Sequence, residues 1–172
     1  LHHKRNVYPH IKKLTDIHTI PGTGWKLVLD SDMLFWNEPL KIINWLKKPD
    51  NPLYMLDCKE SYGYSHQFIE SLCGKKVPRL INVGAVGLNS DLINWVEIDN
   101  WIGELEEKEG TSYFLEQALT AMLIGNTTST ILNANEYIVN PTNQMINDKC
   151  GILHHYVDLS KEGYFKKAWK TI

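Results

Sequence analysis

Cysteine is scarce in this sequence and shows no pattern. The 172 residues include only Cys58, Cys73 and Cys150, and none of them forms a CxxC motif. Disulfide-rich secreted domains carry an even number of cysteines at short spacings. The odd, scattered count argues against a disulfide framework and favours reduced thiols in a cytoplasmic protein.

An excess of basic residues and a long apolar run are also lacking. The 18 Lys and Arg residues face 20 Asp and Glu residues, for a formal net charge of -2. Nucleic-acid-binding domains usually carry a marked basic excess, so no nucleic-acid partner is expected. No apolar segment approaches the ~20 residues of a membrane span. With 43% hydrophobic and 22% charged residues, the sequence predicts one soluble globular domain.

Two aspartates, Asp30 and Asp32, follow directly on the short apolar run 27–29 (LVL). Such a run is typical of a strand buried on both faces of a parallel sheet, and α/β proteins bind ligands beyond the carboxyl ends of such strands. Because side chains alternate along a strand, the two carboxylates can converge on one ion. Carboxylate oxygens suit Mg²⁺ or Mn²⁺, so the segment predicts a metal site that binds a diphosphate.

The same aspartates have a second interpretation, in which they only end a strand and cap the next turn. The apolar residues 33–36 (MLFW) follow at once. Unpaired carboxylates are costly in such surroundings unless an ion or a donor compensates them. The apolar setting therefore favours the metal site.

Helices and short strands alternate along the chain, which predicts an α/β fold. Asn37, Glu38 and Pro39 indicate the start of the second helix, which is expected to bury Leu40, Ile43 and Leu46. Hydrophobic periodicity and turn residues predict helices at 8–20, 37–48, 65–73, 89–108 (with a break near 99–100), 111–123 and 161–170, and strands at 27–29, 53–56, 77–88, 129–132, 137–139 and 151–157.

Two of these segments have open interpretations. The loop 57–64 ends in Tyr-Gly-Tyr, which indicates either a functional loop that presents aromatic rings or an ordinary aromatic turn. Asn82, Gly84 and Gly87 interrupt the strand 77–88, which indicates either a wall close to a ligand or a bulge without one. Glu116 falls in the first turn of a predicted helix, where the helix dipole favours an acid without any substrate.

The end of the chain carries histidines and lysines. Neighbouring strand positions face opposite sides, so only one of His154 and His155 can join Asp30 and Asp32. Lys161 can meet a phosphate as a point charge. The segment 161–172 combines lysines with Tyr164, Phe165 and Trp169; it is expected either to rest on an anionic membrane surface, such as the inner membrane face, or to pack on its own domain.

Four segments form an ordered set across residues 15–170. They are 29–33 (LDSDM), 81–89 (INVGAVGLN), 116–119 (EQAL) and His155-Tyr156 with Lys161 six residues after the histidine. The first resembles a DxD strand end, the second a pattern FNxGxxLxN, and the third a DQxxL segment with Glu in place of Asp. Together they resemble GT-A glycosyltransferases, especially glycosyltransferase family 8 and its bacterial relatives.

The resemblance implies a mixed, Rossmann-like sheet flanked by helices and a metal-dependent sugar transfer from a nucleotide sugar, foremost a UDP-sugar, to a sugar, lipid or protein hydroxyl. It implies that Asp30, Asp32 and His155 hold Mn²⁺ or Mg²⁺ and that Lys161 neutralises the departing phosphate. Its remaining implied residues are Ser31, Asn82, Gly84, Glu116 and Gln117, which would line the donor and acceptor space, with Glu116 and Gln117 as the catalytic pair.

The chain departs from the family pattern in two places. Asp158 and the 163–169 region stand where the family has a glycine after the late histidine and a terminal Pro-Trp. GT-A enzymes also carry earlier strands that hold the nucleobase, whereas only 29 residues precede Asp30. The chain is therefore expected to be the C-terminal portion of such a domain, to lack most of the base-binding half, and to bind metal and nucleotide poorly by itself.

Three other functions compete with glycosyl transfer. A haloacid-dehalogenase-type phosphatase also has two aspartates after a strand. Its pattern has Thr two residues after the second aspartate, where this chain has Leu34. A nucleotidyltransferase of similar fold would place acids on metal and phosphate in the same way. A degenerate domain kept for binding or assembly is the non-enzymatic alternative.

Overall fold

The main sheet has four strands in the order β1-β4-β3-β5, in a computed structural model that describes residues 9–22 and 24–171. Its strands are β1 (Trp25–Leu29), β3 (Leu53–Leu56), β4 (Ile81–Asn89) and β5 (Thr130–Leu132). β4 lies antiparallel to both β1 and β3, whereas β3 and β5 run parallel. The sheet is therefore mixed, as the resemblance implies.

A second sheet has three strands in the order β2-β7-β6: β2 (Met33–Phe35), β6 (Tyr137–Val139) and β7 (Leu153–His155). β2 and β7 are antiparallel, with Met33 opposite His155, and β6 and β7 are parallel. β1 belongs to the first sheet and β2 to the second, so Asp30 and Asp32 lie where the chain crosses between the sheets. This crossing brings them beside His155.

Helices cover the sheets: α1 (Lys12–Thr19), α2 (Leu40–Lys47), α3 (His66–Cys73), α4 (Trp95–Glu109), α5 (Leu115–Ile124), α6 (Asn143–Asp148) and α7 (Lys161–Lys166). Short 3₁₀ turns occur at Pro9–Ile11, Ser90–Leu92, Asp158–Ser160 and Ala168–Thr171. The largest core lies between β4 and α3, α4 and α5, and nine of the ten residues of α5 are buried. Among the described residues, no helix is both long and apolar enough to cross a membrane.

The prediction that the strand before Asp30 is buried on both faces of a parallel sheet is wrong. β1 pairs with β4 alone, in antiparallel orientation, and four of its five residues are partly or largely exposed. β4 is the strand with the predicted character, since its first eight residues are buried. A run of three apolar residues is too short to distinguish an edge strand from an interior one.

The second helix buries a different face from the predicted one. α2 begins at Leu40, after Pro39, and buries Ile42 and Trp45, while Leu40 and Leu46 are exposed. Trp45 determines which face of α2 is buried because its ring packs over Gly87, where a Cβ would lie 2.6 Å from the indole Cζ2. The bulky indole gains more from burial than either leucine.

Other boundaries also shift. α4 runs without the break predicted near 99–100, and α5 begins at Leu115 rather than at 111 or 112. The terminal segment forms α7 and then a 3₁₀ turn rather than one helix over 161–170, and residue 172 lies outside the described residues, as does Tyr8 at the start of the first predicted helix. The strands 53–56 and 137–139 are confirmed.

Acid is expected to destabilise the fold through His18 of α1. The imidazole is buried, its Nδ1 lies 2.9 Å from Ser90 Oγ, and burial, followed by the charge of Lys26, lowers its pKa from 6.5 to about 4. The unfolded chain binds this proton below pH 6.5 and the folded chain only near pH 4. Stability is therefore complete above pH 6.5 and falls between pH 6.5 and 4, by an amount approaching about 3 kcal/mol.

Urea unfolding at pH 7.5 and at pH 4.5 measures this loss. His18→Gln should lose less stability than the wild type over the same interval. Equal acid sensitivity of the two proteins would assign the loss to other groups.

Candidate metal centre and active site

Three potential metal ligands converge at the junction of the two sheets. Asp30, Asp32 and His155 each offer one ligand atom, and these atoms all lie within 4.8 Å of one another. His155 Nε2 lies 3.6 Å from Asp30 Oδ2 and 3.3 Å from Asp32 Oδ1. The predicted set is thus brought together by residues from the β1–β2 connection and from β7.

The other side of the imidazole shows that this set fits a metal. Asn82 Oδ1 accepts the Gly84 N–H at 2.9 Å and lies 2.9 Å from His155 Nδ1, while Asn82 Nδ2 donates to Asp57 Oδ2. Since Oδ1 can only accept, Nδ1 carries a proton and Nε2 faces the two carboxylates: without a metal Nε2 can donate to Asp32, and once deprotonated it turns its lone pair to the same point. Three acceptors converging on one point suit a divalent cation, and a histidine held through its second nitrogen is typical of metal ligands.

Gly84 allows the imidazole to approach β4. A Cβ at this position would lie 2.5 Å from His155 Nδ1 and 2.6 Å from Met33 Cε. The backbone carbonyl of Gly84 also accepts the N–H of Asp30 at 2.8 Å. Of the two interpretations of the glycines in this strand, Gly84 therefore supports a close approach to the candidate site, whereas Gly87 accommodates Trp45 in the core.

Lys13 is a component of the site that sequence reasoning missed. α1 places its Nζ 2.9 and 3.2 Å from the carboxylate oxygens of Asp30 and 3.5 Å from Glu116 Oε2. Burial lowers the pKa of Lys13, but Glu116 and Asp30 outweigh burial and raise it, so the ammonium is retained. No sequence signal marked Lys13, which is one of two consecutive lysines between the apolar residues Ile11 and Leu14.

Glu116 is buried at the start of α5. Burial raises the pKa of its carboxyl from 4.5 to about 7; the charge of Lys13 opposes this change and that of Asp30 adds to it. A carboxyl group poised near neutrality can both release and accept a proton under ordinary conditions. Burial against Lys13 therefore gives Glu116 a chemical property that its place in the first turn of a helix does not require.

Asp57 organises the remaining polar groups. Its Oδ1 accepts the N–H of Cys58 at 2.7 Å, and its Oδ2 accepts from Asn82 Nδ2 at 3.1 Å and Gln117 Nε2 at 3.2 Å. The amide nitrogen of Gln117 is thereby engaged, and its oxygen is the atom left to accept from a hydroxyl group. No sequence motif marks Asp57, although it follows β3 directly.

These residues surround one cavity of about 270 Å³. Its wall includes the candidate metal ligands, Lys13, Asn82, Gly84, Glu116, Gln117 and Lys161, together with His10, Asp57, Cys58, Lys59, Ser61, Val83, Tyr113, Phe114, Val157 and Asp158. Lys161 Nζ lies 3.4 Å from Asp32 Oδ2. Burial raises the pKa of the Asp32 carboxyl, but His155 and Lys161 outweigh burial and lower it, which keeps the ligand ionised.

Ser31 and the two tyrosines of the loop 57–64 lie away from the cavity. Ser31 is exposed and is not among the cavity residues; its carbonyl oxygen lies 3.5 Å from Tyr164 Oη. Tyr62 and Tyr64 are buried in the core, so the loop 57–64 does not present their rings to a ligand, although its first residues line the cavity. His154 faces away from the aspartates and accepts from Trp36 Nε1 at 2.9 Å, as the alternation of strand side chains predicts.

The sequence matches no family model and no curated protein. Its structure is similar to that of the galactosyltransferase LgtC solved in complex with donor and acceptor sugar analogues, with 14% identity and a TM-score of 0.54 over 95% of this chain. The fold is that of a GT-A glycosyltransferase.

This chain spans 66% of the length of the LgtC chain. The predicted fold class, a mixed sheet flanked by helices in the GT-A manner, is confirmed. In this GT-A fold the Asp-x-Asp sequence lies between the two sheets and shares a cluster with His155.

Proposed function

We propose that residues 1–172 form a metal-dependent glycosyltransferase domain that moves a sugar from a nucleotide-diphosphate sugar, foremost a UDP-sugar, to an acceptor hydroxyl. The observation that carries this proposal is the convergence of Asp30, Asp32 and His155 on one point, with Lys161 on one side and Lys13 on the other. The likeness to LgtC, a galactosyltransferase solved with donor and acceptor sugar analogues, supports the same reaction class.

The metal ligands and Lys161 suit the negative charge that develops on the departing diphosphate during glycosyl transfer. The bond from the anomeric carbon to the diphosphate oxygen breaks, the acceptor oxygen forms a bond to that carbon, and the acceptor hydroxyl loses its proton. Mn²⁺ or Mg²⁺ held by Asp30, Asp32 and His155 would supply charge stabilisation to the departing diphosphate. Lys161, whose side chain is half exposed beside Asp32, adds a cation for the same phosphates.

Glu116 is the group that we assign to the acceptor proton. Lys13 holds its carboxylate in place, and Gln117 beside it offers an amide oxygen to a sugar hydroxyl. Asn82 and Gly84 form the wall behind His155. Ser31 remains a predicted donor contact through its position between the two aspartates.

A donor screen tests the proposed function. The full-length protein is incubated with UDP-glucose, UDP-galactose, UDP-N-acetylglucosamine or GDP-mannose, or with a nucleoside triphosphate and a sugar 1-phosphate, in Mn²⁺, in Mg²⁺ or in EDTA. We expect metal-dependent release of nucleoside diphosphate together with glycosylated product or free sugar. Release of pyrophosphate from nucleoside triphosphates instead would identify a nucleotidyltransferase, and no turnover of any donor would favour a binding or assembly domain.

Transfer should show an acid limb near pH 7 because Glu116 must be ionised to accept a proton, and burial sets its pKa at about 7. The rate should rise with pH up to about 7 and then level off. Glu116→Gln should lower the rate at least about a hundredfold and remove the limb. Initial rates at saturating donor between about pH 5.5 and 8.5 measure both effects.

Glu104→Gln, on a partly exposed position of α4, is the matched control and should keep the wild-type profile. A limb that persists in Glu116→Gln would assign the ionisation to another group.

We further propose that the segment 161–172 contacts the anionic inner face of a membrane. Phe165 is 64% exposed and Trp169 52% exposed, and Lys166, Lys167 and Lys170 accompany them. Only Tyr164 of the three aromatic residues packs inward, with its ring centroid 5.2 Å from that of Tyr156. Basic residues beside exposed aromatic rings suit the surface of an anionic bilayer.

Sedimentation with vesicles tests this contact. The wild type should bind phosphatidylglycerol vesicles more strongly than phosphatidylcholine vesicles. Phe165→Ser with Trp169→Ser should weaken that binding about tenfold or more, because two apolar contacts are lost. Leu92→Ser, which removes an exposed leucine from the turn Ser90–Leu92, should not. Equal binding of all three proteins would contradict the assignment.

A further inference from the structure

A buried carboxylate that the proposed reaction does not use connects two parts of the cavity wall. Asp57 follows β3, an interior strand of the main sheet, and the residue is 9% exposed. Its oxygens accept from the Cys58 N–H at 2.7 Å and from the side-chain amides of Asn82 and Gln117 at 3.1 and 3.2 Å. A carboxylate has about four lone-pair positions, so three of them are occupied. Asp57 is therefore engaged by the protein itself rather than free to bind a metal or accept a proton.

A bulge in β4 brings Asn82 between Asp57 and a metal ligand. The bulge leaves residues 83–85 without partners in β3. Bulges change the direction of side chains and are common next to active sites. Asn82 Oδ1 accepts the N–H of Gly84, inside the bulge, at 2.9 Å and lies 2.9 Å from His155 Nδ1. One buried amide thus contacts Asp57 through its nitrogen and the metal ligand through its oxygen.

The donors and acceptors of this relay, which runs from Asp57 through Asn82 to His155, point in one direction. The Asp57 carboxylate can only accept, so the NH₂ group of Asn82 faces it and the Asn82 carbonyl faces His155. The carbonyl in turn can only accept, so the imidazole keeps a proton on Nδ1 and presents Nε2 to the aspartates. Hydrogen bonds in such a chain polarise one another, and an ionised acceptor at its end strengthens them. Asp57 therefore strengthens the hold on His155 from one residue further out.

Gln117 is oriented by the same carboxylate oxygen. It lies in α5, is 8% exposed, and donates from Nε2 to Asp57 Oδ2, the atom that also accepts from Asn82. An amide group has nearly the same shape when its oxygen and nitrogen are exchanged, so its partners decide which atom lies where. With Nε2 on Asp57, the Gln117 oxygen is the atom left for a ligand in the cavity, whose wall includes Gln117. A donor in place of Asp57 Oδ2 would therefore reverse this amide.

We propose that Asp57 is a positioning residue that controls two side chains at once. Through Asn82 it holds His155 with Nε2 toward the metal, and directly it holds Gln117 with its oxygen as the free acceptor. This inference rests on the metal centre of the proposed function and deepens it. Metal affinity and the orientation of Gln117 are thereby set by a single buried carboxylate, which follows a different strand from every candidate metal ligand.

Metal affinity tests the His155 branch without turnover. Mn²⁺ titration of the full-length protein is followed by electron paramagnetic resonance. Asp57→Asn offers one oxygen to three donors and removes the charge, so it should raise the Mn²⁺ Kd about tenfold. The exchange variant, Asp57→Asn with Asn82→Asp, again places a carboxylate on His155 Nδ1 and should return the Kd to within about threefold of the wild type. Asp50→Asn, which removes the same charge at an exposed position before β3, should leave the Kd unchanged.

Three outcomes of this titration would contradict the inference. Unchanged Mn²⁺ affinity in Asp57→Asn would overturn the relay and leave the metal centre standing. Equal weakening of Mn²⁺ binding in Asp57→Asn and in the exchange variant would also overturn it, because moving the charge does not restore a merely structural contact. Absence of Mn²⁺ binding by the wild type would overturn the metal centre and the relay with it.

Turnover with an active donor tests the Gln117 branch. In the exchange variant, the amide introduced at position 57 donates to the carboxylate introduced at position 82, so the Gln117 amide has to reverse. At saturating Mn²⁺ its kcat should therefore stay about tenfold below that of the wild type although its Mn²⁺ affinity is restored. A wild-type kcat would overturn this branch, and so would a change confined to the acceptor KM, which would show that Asp57 contacts substrate instead. No turnover in any protein, with normal Mn²⁺ binding, would overturn the transferase and leave the relay standing.

Discussion

Asp32→Ala should abolish metal-dependent transfer, lowering the rate at least about a hundredfold. Asp32 lies 3.3 Å from His155 Nε2 and pairs with Lys161, so its loss removes one ligand from the metal and one partner from the phosphate-binding lysine. A metal ion contributes several kcal/mol to a departing diphosphate, and about 1.4 kcal/mol corresponds to a factor of ten in rate. His155 and Asp30 remain but cannot enclose the ion.

Two measurements check this prediction. Mn²⁺ titration followed by electron paramagnetic resonance gives the metal Kd, and nucleoside diphosphate release gives the rate. Asp148→Ala, an exposed acid at the end of α6, is the matched control and should leave both unchanged. Normal metal affinity and normal turnover of Asp32→Ala would remove the metal centre from the proposed function, whereas intact biological function without turnover would support a binding or assembly domain.

Gly84→Ala should weaken metal binding at the same centre by displacing His155. The new Cβ would meet His155 Nδ1 at 2.5 Å and Met33 Cε at 2.6 Å, so the imidazole has to leave its position between Asn82 and the aspartates. Overpacking of this kind costs typically about 1–3 kcal/mol of stability, and loss of a ligand's supporting contacts costs about 10- to 100-fold in metal affinity. Both losses are expected from one added methyl group.

Gly103→Ala is the control for this substitution. Gly103 lies within α4, and a Cβ there meets no atom within 4 Å, so alanine should raise the free energy of unfolding by up to about 1 kcal/mol through helix propensity. Urea unfolding and Mn²⁺ titration of both variants measure the contrast. Wild-type metal affinity in Gly84→Ala would show that His155 does not depend on its close approach to β4.

The candidate metal ligands were accessible to sequence reasoning because their signals are local. Asp30 and Asp32 are adjacent to an apolar run, and the alternation of side chains in a strand lets only one of His154 and His155 join them. The family resemblance, rather than the alternation, selected His155. The element types were accessible for the same reason, since helix and strand periodicities appear within a few residues. The role of Glu116 in this chain stays a prediction, as do those of Gln117 and Lys161.

Lys13, Asp57 and the exposed Tyr113 had no such signal. Lys13 is one of several lysines near the start of the chain, and its importance comes only from the crossing of α1 over the end of β1, which places it against Asp30. Asp57 is one acid among many until Asn82 and Gln117 donate to it from β4 and α5. The exposure of Tyr113 and the burial of Tyr62 cannot be distinguished by composition, since both tyrosines sit in polar loops.

The sequence by itself determined the α/β class, the ligand types and the strand end that carries the acid pair, because periodicity and residue chemistry are properties of short segments. Only the tertiary structure decided that β1 pairs with one strand and that β2 belongs to a second sheet. It also decided that the His155 ring packs against Gly84 and so lies beside the aspartates. It also decided the pKa of Glu116, which depends on burial and on the charges of Lys13 and Asp30. These features arise from contacts between residues far apart in the chain, which no local pattern records.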